Sequence, residues 1–457
     1  MTLSEQLALF CSRIEYAELS AATKDGAQDC VIDWFATALS GSRSTEAKYV
    51  DNVVRALQSR GTATTFTGMR TAAPLAALVN GTSAHAEDFD DTNFDAMIHT
   101  GASVVAAAFA VSESVTADGK ALLAGVAAGY EAAVRIAAVI DSPPRMLHHK
   151  RGFHPTGTCG VFGAAVAAGT ILQLDAERLV QALGICGSFA SGIMEFFSDG
   201  SMTKRIHPGK AAHDGVMAAL LAREGYTGPR TVLEGRDGFF RAYGDGSEPD
   251  RLLAQLGTVW QVERASRKLH ACCAHIHASI DALQRICTVH QVVAADIASI
   301  DVELATMAAY QVIEPLESKR RPTSTLEAQM SLPYVLAAVL EDGNAMPAQF
   351  TPERVADPRL HALMDRIGGK ASTALDAVFS SEIMPAIVSV RTREGRHLTD
   401  RVDHPAGSVR NPLTRAQLKR KFDALATASL TSAQADALWG RLTHISDLDS
   451  VTDLTGR

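Results

Sequence analysis

The sequence predicts a mainly α protein: a large all-helical domain built from both chain ends, with a smaller α+β domain inserted as a lid. Three observations carry this. Ala-rich segments with apolar residues three and four apart run through residues 1–262, which is the helical period. Between residues 263 and 408 strand-like alternation enters. From 409 to 457 the helical period returns. The predicted domains are therefore 1–262 with 409–457, and 263–408.

The helical segments are Cys30–Leu39, Ala73–Ala86, Val104–Val115, Ala121–Ile140, Val161–Leu172, Leu179–Phe189 and Ala211–Glu224. Alanine favours helix and lets helices approach closely. Gly157, Gly160 and Gly163 recur every third residue and predict one tight helix–helix contact. In the inserted domain Ile300, Val302 and Leu304 alternate with Asp301 and Glu303. Ile387–Thr392 and His397–Val402 read as strands joined by the turn Arg393–Arg396. His277–Val289 and Leu326–Leu340 read as helices among them. After the Pro-, Gly- and Ser-containing loop Asp403–Pro412, Thr414 and Gln417 form a capping-box pattern.

With 457 residues, 47% of them hydrophobic, the chain exceeds what one core usually takes. A net charge of −8 argues against nucleic-acid binding, so an anionic ligand needs a local basic site. Seven cysteines without scaffold spacing fit a reducing compartment. The opening Met-Thr-Leu-Ser-Glu-Gln has no basic and then apolar leader pattern. The apolar run Ala121–Ile140 contains Glu131 and Arg135, so no membrane span is expected. The expected location is cytoplasmic.

Four stretches carry chemistry-bearing residues. His99, His154 and His207 each stand before a Gly-containing segment read as a helix start, with Pro155 and Pro208 suiting a first helical position. Such ends offer free N–H groups and a positive dipole, to which a histidine adds a donor or proton shuttle. Histidine near a helix start is also a common surface feature. Lys204, Arg205, His207 and Lys210 crowd one loop, a pattern suited to carboxylate binding or to a plain solvated face. Glu87, Asp88, Asp90 and Asp91 close the Ala73–Ala86 helix. Mutual repulsion there should raise some pKa values, useful for acid–base work; a divalent-metal site and a solvated acidic end are the alternatives. Arg267, Lys268, His270, Cys272, Cys273, His275 and His277 form the fourth run. It hints at zinc, but adjacent cysteines rarely ligate one tetrahedral ion and no CxxC pair occurs. It is read as a cleft segment, with His277 opening the helix that carries Asp281.

These motifs are DFDDT followed by a histidine, GFHPTGTCGVFGAA, GSMTKRIHPGKAAHDGV, EGRDGFF after YTGP, K-x-x-x-CC-x-x-x-H-x-x-IDA and MSLPYVLA. In this order, over residues 30 to 425, the chain resembles the MmgE/PrpD family. The resemblance implies a helical domain with an inserted lid and a homodimer; no cofactor is expected, and no metal, because separated Cys ligands are absent from the sequence. It implies catalytic roles for Asp88, His99, His154, Lys204 and His277, a substrate contact from Thr92 and, by a looser match, one from Tyr310; the basic runs themselves add Lys268 and His207 as expected substrate contacts. It also implies chemistry on a small di- or tricarboxylate. The chain departs from the family pattern at His99-Thr100-Gly101, where many members have His-Pro. It departs again at His270-Ala271, where many have Tyr-Pro, and at Asp90, where the dehydratases typically carry Asn.

The chemistry implied starts at a carbon beside a carboxylate, whose proton is a very weak acid. Moving it needs an aligned base and cations or N–H donors on the developing enediolate. Dehydration like that of 2-methylcitrate is placed first, with decarboxylation like that of cis-aconitate and epimerisation like that of iminodisuccinate as alternatives. A non-catalytic anion-binding protein and a zinc hydrolase resting on residues 270–277 are the rivals from other classes. Lys268 and His277, like Tyr310, fall inside the inserted domain, whereas Asp88, His99, His154 and Lys204 fall outside it, so the expected site forms on lid closure.

Overall fold

The computed structural model describes residues 1–143 and 145–455. The chain is mainly helical, with six strands among the described residues. It divides into two compact units: Met1–Ala86 with Asp90–Arg267 and Thr414–Arg457, and Glu87–Phe89 with Lys268–Leu413.

The first unit is helical around a core of small residues. The helices that position the candidate residues are α1 (Ala21–Gly41), α2 (Ala73–His85), α3 (Thr100–Val115), α4 (Gly119–Asp141), α5 (Pro155–Thr158), α6 (Gly160–Ile171) and α7 (Thr203–Arg223). Helix α7 packs against α2, α3 and α6, and α6 also packs against α3 and α4. Close approach explains the glycines on these faces. A Cβ on Gly81 would lie 2.8 Å from the Gly209 Cα, and one on Gly163 would lie 2.6 Å from both the Gly129 carbonyl and the Ala133 Cβ. The glycines at 157, 160 and 163 do not share one contact, as the spacing suggested. They face Ser191, Ser103 and the Gly129–Ala133 turn respectively. Trp34, Phe35, Phe66 and Phe109 form an aromatic cluster with centroids 5.0–6.2 Å apart.

Among the described residues α4 alone has the length and apolarity of a membrane span, and its apolar window is 94% buried within the protein. Two charges in its middle are satisfied inside: Arg135 pairs with Glu131 at 2.6 Å and donates to the carbonyls of Ala254 and Val259. The C-terminal helix Arg415–Ala426 carries Thr414 and Gln417 as a reciprocal capping box and packs on α1. There Lys421 meets Asp33 at 2.6 Å, both buried. One expectation fails in this unit, that residues 1–262 are helical throughout. Strands β1 (Ala63–Thr64) and β2 (Arg70–Thr71) pair antiparallel. Their two-residue length gives no period to read, and buried side chains hold them: Glu113 accepts the Thr64 N–H and Asn80 bonds Phe66 N–H and the Thr64 carbonyl.

The second unit holds a four-stranded sheet of order β4-β3-β5-β6, with β3 (Ile297–Leu304), β4 (Ile367–Ala371), β5 (Ala386–Thr392) and β6 (His397–Val402). Strands β3 and β4 are parallel and the other pairs antiparallel. Ile300, Val302 and Leu304 are buried, as alternation requires. Helix α8 (His277–His290) packs on β5 and β6. Strand β4 is missed by the sequence reading because Ile-Gly-Gly-Lys-Ala has neither alternation nor β-branched residues beyond its first. The predicted helix Leu326–Leu340 is two helices, Thr325–Gln329 and α9 (Leu332–Asp342). Ser331 caps the second and Pro333 sits in its first turn, so the chain restarts there.

Candidate active site

In the first unit the end of α2, the start of α3, the start of α5 and the first turns of α7 bring four imidazoles into one chain. His99 meets His85 edge-on at 4.7 Å between centroids, His85 lies 6.1 Å from His154, and His154 lies 5.1 Å from His207. Helices α2 and α7 approach closely where Gly81 faces Gly209.

Asp90 anchors one end. Its carboxylate lies 2.9 and 3.0 Å from Nδ1 of His85 and 3.3 Å from Nδ1 of His99. Burial pushes the Asp90 pKa up, but the two imidazoles outweigh it and hold it well below the usual range. An ionised carboxylate only accepts, so His85 donates from Nδ1. Burial holds His85 down to about 3, hence neutral, and its buried Nε2 has no hydrogen-bond partner. The same carboxylate orients the His99 ring. Thr92 Oγ1 adds a longer contact to His99 Nδ1 at 3.4 Å, and the His99 N–H donates to Thr156 of the HPTGT motif at 3.1 Å.

His154 stands at the other end, capping α5, whose first residue is Pro155. Its Nδ1 lies 2.9 Å from Nδ1 of His207. Burial, followed by His207, His85 and Lys204, holds the His154 pKa well below normal. Burial and the Lys204 and Lys210 charges hold His207 down to about 4. Lys204 is buried in the first turn of α7, and its charge bears on His85, His154 and His207 alike.

Several expectations change here. Helix α7 begins at Thr203, so His207 and Pro208 lie inside it rather than at its start. The Gly101 N–H in the first turn of α3 is not open to a ligand, because Asp91 Oδ1 accepts it at 2.8 Å. Of the acidic run, Asp91 is raised to about 7, chiefly by burial rather than by its neighbours' charge, while Asp90 shifts downward. His85 and Asp90 are functional candidates the sequence reading did not assign. Their only signal is a histidine in the last turn of a small-residue helix, five positions before an acid.

The second unit holds Asp88, Lys268, His277 and Tyr310. Asp88 sits at φ +53, and Lys268 Nζ holds both its carboxylate at 2.7 Å and its carbonyl at 2.8 Å. His277 opens α8 and meets His270 edge-on at 5.2 Å. Burial brings His270 down to about 4. Tyr310 is 68% exposed on the helix Thr306–Val312, which packs beside Ala274–Ile276.

Among the described residues one group, His85, Asp90 and His99, places three ligand atoms within 4.8 Å of one another. Two imidazoles and a carboxylate suit a transition metal, yet the same contacts are satisfied as hydrogen bonds. Residues 270–277 form no such group, so the zinc hydrolase reading finds no support in geometry.

Imidazoles, an ionised carboxylate and an ammonium gather where these helices meet, groups whose chemistry is proton transfer and anion binding. The chain belongs to the MmgE/PrpD family: the model of the MmgE/PrpD N-terminal domain matches residues 5–252, and that of the MmgE/PrpD C-terminal domain matches residues 270–440. It is 25% identical to cis-aconitate decarboxylase of Aspergillus terreus, over 99% of this chain and 94% of that protein. Cis-aconitate decarboxylase of Homo sapiens is 26% identical, over 99% and 94%. A cis-aconitate decarboxylase-like protein of Aspergillus oryzae is 25% identical, over 99% and 96%.

Proposed function

We propose that this chain is a carboxy-lyase acting on a small unsaturated tricarboxylate, with cis-aconitate as the first substrate to test. The observation that carries this is the pairing of His85 and His99 on Asp90 beside a second imidazole pair, His154 and His207, with Lys204 bearing on both. Lys204 is fitted to hold a carboxylate and to stabilise the enediolate as charge develops. Loss of CO₂ leaves an electron pair that the adjoining unsaturated carboxylate spreads. An imidazole, His99 or His154, then delivers the proton that completes the product. The names of the relatives favour decarboxylation over the 2-methylcitrate-like dehydration that sequence reasoning placed first, and Asp90 stands where dehydratases carry Asn.

The test is NMR of purified protein with a panel of di- and tricarboxylates in D₂O. The expected result is CO₂ release from cis-aconitate and a new olefin carrying one deuterium on carbon. Loss of water from 2-methylcitrate without CO₂ would move the chain to the hydro-lyases. Deuterium uptake without net change would make it an epimerase, and no change with any acid would leave a binding protein.

A further inference from the structure

We propose that His207 is the proton relay of His154, a positioning residue that sets which tautomer His154 presents and connects it to solvent. This rests on the lyase reading above for its direction of use, and on geometry for its existence.

The two Nδ1 atoms are 2.9 Å apart, so a single hydrogen lies between them and one ring donates while the other accepts. Among the described residues the His207 side chain makes no other hydrogen bond. The pair is built rather than incidental. The Phe196 ring, 2% exposed, meets His154 at 5.7 Å and His207 at 5.8 Å, both edge-on. Two glycines line His207. A Cβ on Gly192 would lie 3.4 Å from its Nδ1 and one on Gly157 3.4 Å from its Cβ, ordinary contact distances. Gly192 also accepts the His154 N–H at 3.0 Å, tying the cradle to the partner ring.

The charges facing the pair are Lys204 and Lys210 from α7, with His85 and His99 from the α2–α3 side. Each of these, together with burial, disfavours an imidazolium, so both rings are neutral at neutral pH. Two tautomer arrangements follow. In the first, His207 Nδ1–H donates and His154 carries its hydrogen on Nε2, ready to give. In the second, His154 Nδ1–H donates and His154 Nε2 is bare, ready to receive.

Transfer interconverts them with every bond balanced. The His154 Nε2–H bond breaks as the proton forms a C–H bond on the substrate carbanion. The His207 Nδ1–H bond breaks as that proton joins His154 Nδ1. A proton from water joins His207 Nε2. Neither ring gains charge, which burial would penalise. The reverse sequence removes a proton from carbon. Exchange with water after product leaves restores the first arrangement. Both rings are buried, His207 at 8% exposed and His154 at 5%, and exchange with water is assigned to His207.

The experiment combines kinetics on the polycarboxylate that the parent turns over with ¹⁵N NMR of histidine-labelled protein without substrate. The parent is expected to show one N–H proton coupled to two imidazole nitrogens, lost in His207→Phe. His207→Phe should lower kcat by about ten-fold or more and leave KM within about two-fold. His207→Ala should regain part of the lost rate, and the parental pH profile, on adding imidazole. Retained kcat in His207→Phe, or a raised KM with unchanged kcat, would overturn the relay. So would an imidazolium at His154 at neutral pH. If His207→Phe fails to fold, His207→Gln and the coupling in the parent decide. If the parent turns over no polycarboxylate, the lyase reading fails, and the relay stands or falls on the coupling alone.

Discussion

The Tyr130 hydroxyl donates to Asp91 Oδ2 at 2.7 Å, and the other oxygen of that carboxylate accepts the Gly101 N–H. A carboxylate within the protein thereby satisfies the helix end that carries His99. A Cβ on Gly101 would lie 2.5 Å from Asp91 Oδ1 and 2.8 Å from the Tyr130 oxygen. Gly101→Ala is expected to destabilise by about 1–3 kcal/mol in urea unfolding, the usual cost of overpacking. Unchanged stability would show that the contact yields.

Asp91 also sets a pH dependence. Burial raises its pKa to about 7, so the folded state holds a proton that the unfolded chain releases from about pH 4 upward. Its contribution is complete below the unfolded value and is lost as pH rises through 7. Asp91→Asn, which mimics the protonated form, is expected to flatten the stability profile between pH 4 and 7. An unaltered slope would assign the proton elsewhere.

The buried histidines act with opposite sign. His148 is held down to about 4 by burial, donating from Nδ1 to the Tyr243 carbonyl with Nε2 at 2.7 Å from Thr158 Oγ1. Between about pH 6.5 and 4 the unfolded chain takes protons that the folded rings refuse, so stability falls as pH falls. His148→Gln should shed part of that slope in urea midpoints measured across the window. A slope equal to the parent's would remove His148 from the account.

Asp90 is expected to matter through orientation. Asp90→Asn removes the charge that aligns His85 and His99 and should lower kcat by about 10²-fold with little change in KM. Parental activity should survive EDTA, since the proposed steps use no metal. Loss of activity on EDTA treatment, with recovery on adding a divalent ion, would instead assign His85, Asp90 and His99 as ligands.

Lys268 and Asp88 form the matching test in the second unit. Their 2.7 Å pair is buried, with Asp88 in the left-handed region. Lys268→Met should cost about 3 kcal/mol by removing the charge that compensates a buried carboxylate. Adding Asp88→Asn, which removes the charge and tolerates that backbone, should recover part of the loss. A double variant no better than the single one would show that the pair is not coupled.

The sequence by itself determined element type wherever period and length were sufficient, as in α4 with its apolar repeat and β3 with its alternation. It also determined the candidate residues, because HPTGT, the acidic run and the Lys204–Lys210 segment are local strings. It did not determine β4, whose glycines carry no period, or the true start of α7, which runs past Pro208. Only the tertiary structure decided which groups meet: Asp90 with His85 and His99, Asp91 with Tyr130, His154 with His207. Tyr130 is 39 residues from Asp91, and His207 is 53 from His154. Contacts at that separation are set by how closely helices approach, as they do where Gly81 faces Gly209, and close packing is a property of facing surfaces that no single segment encodes.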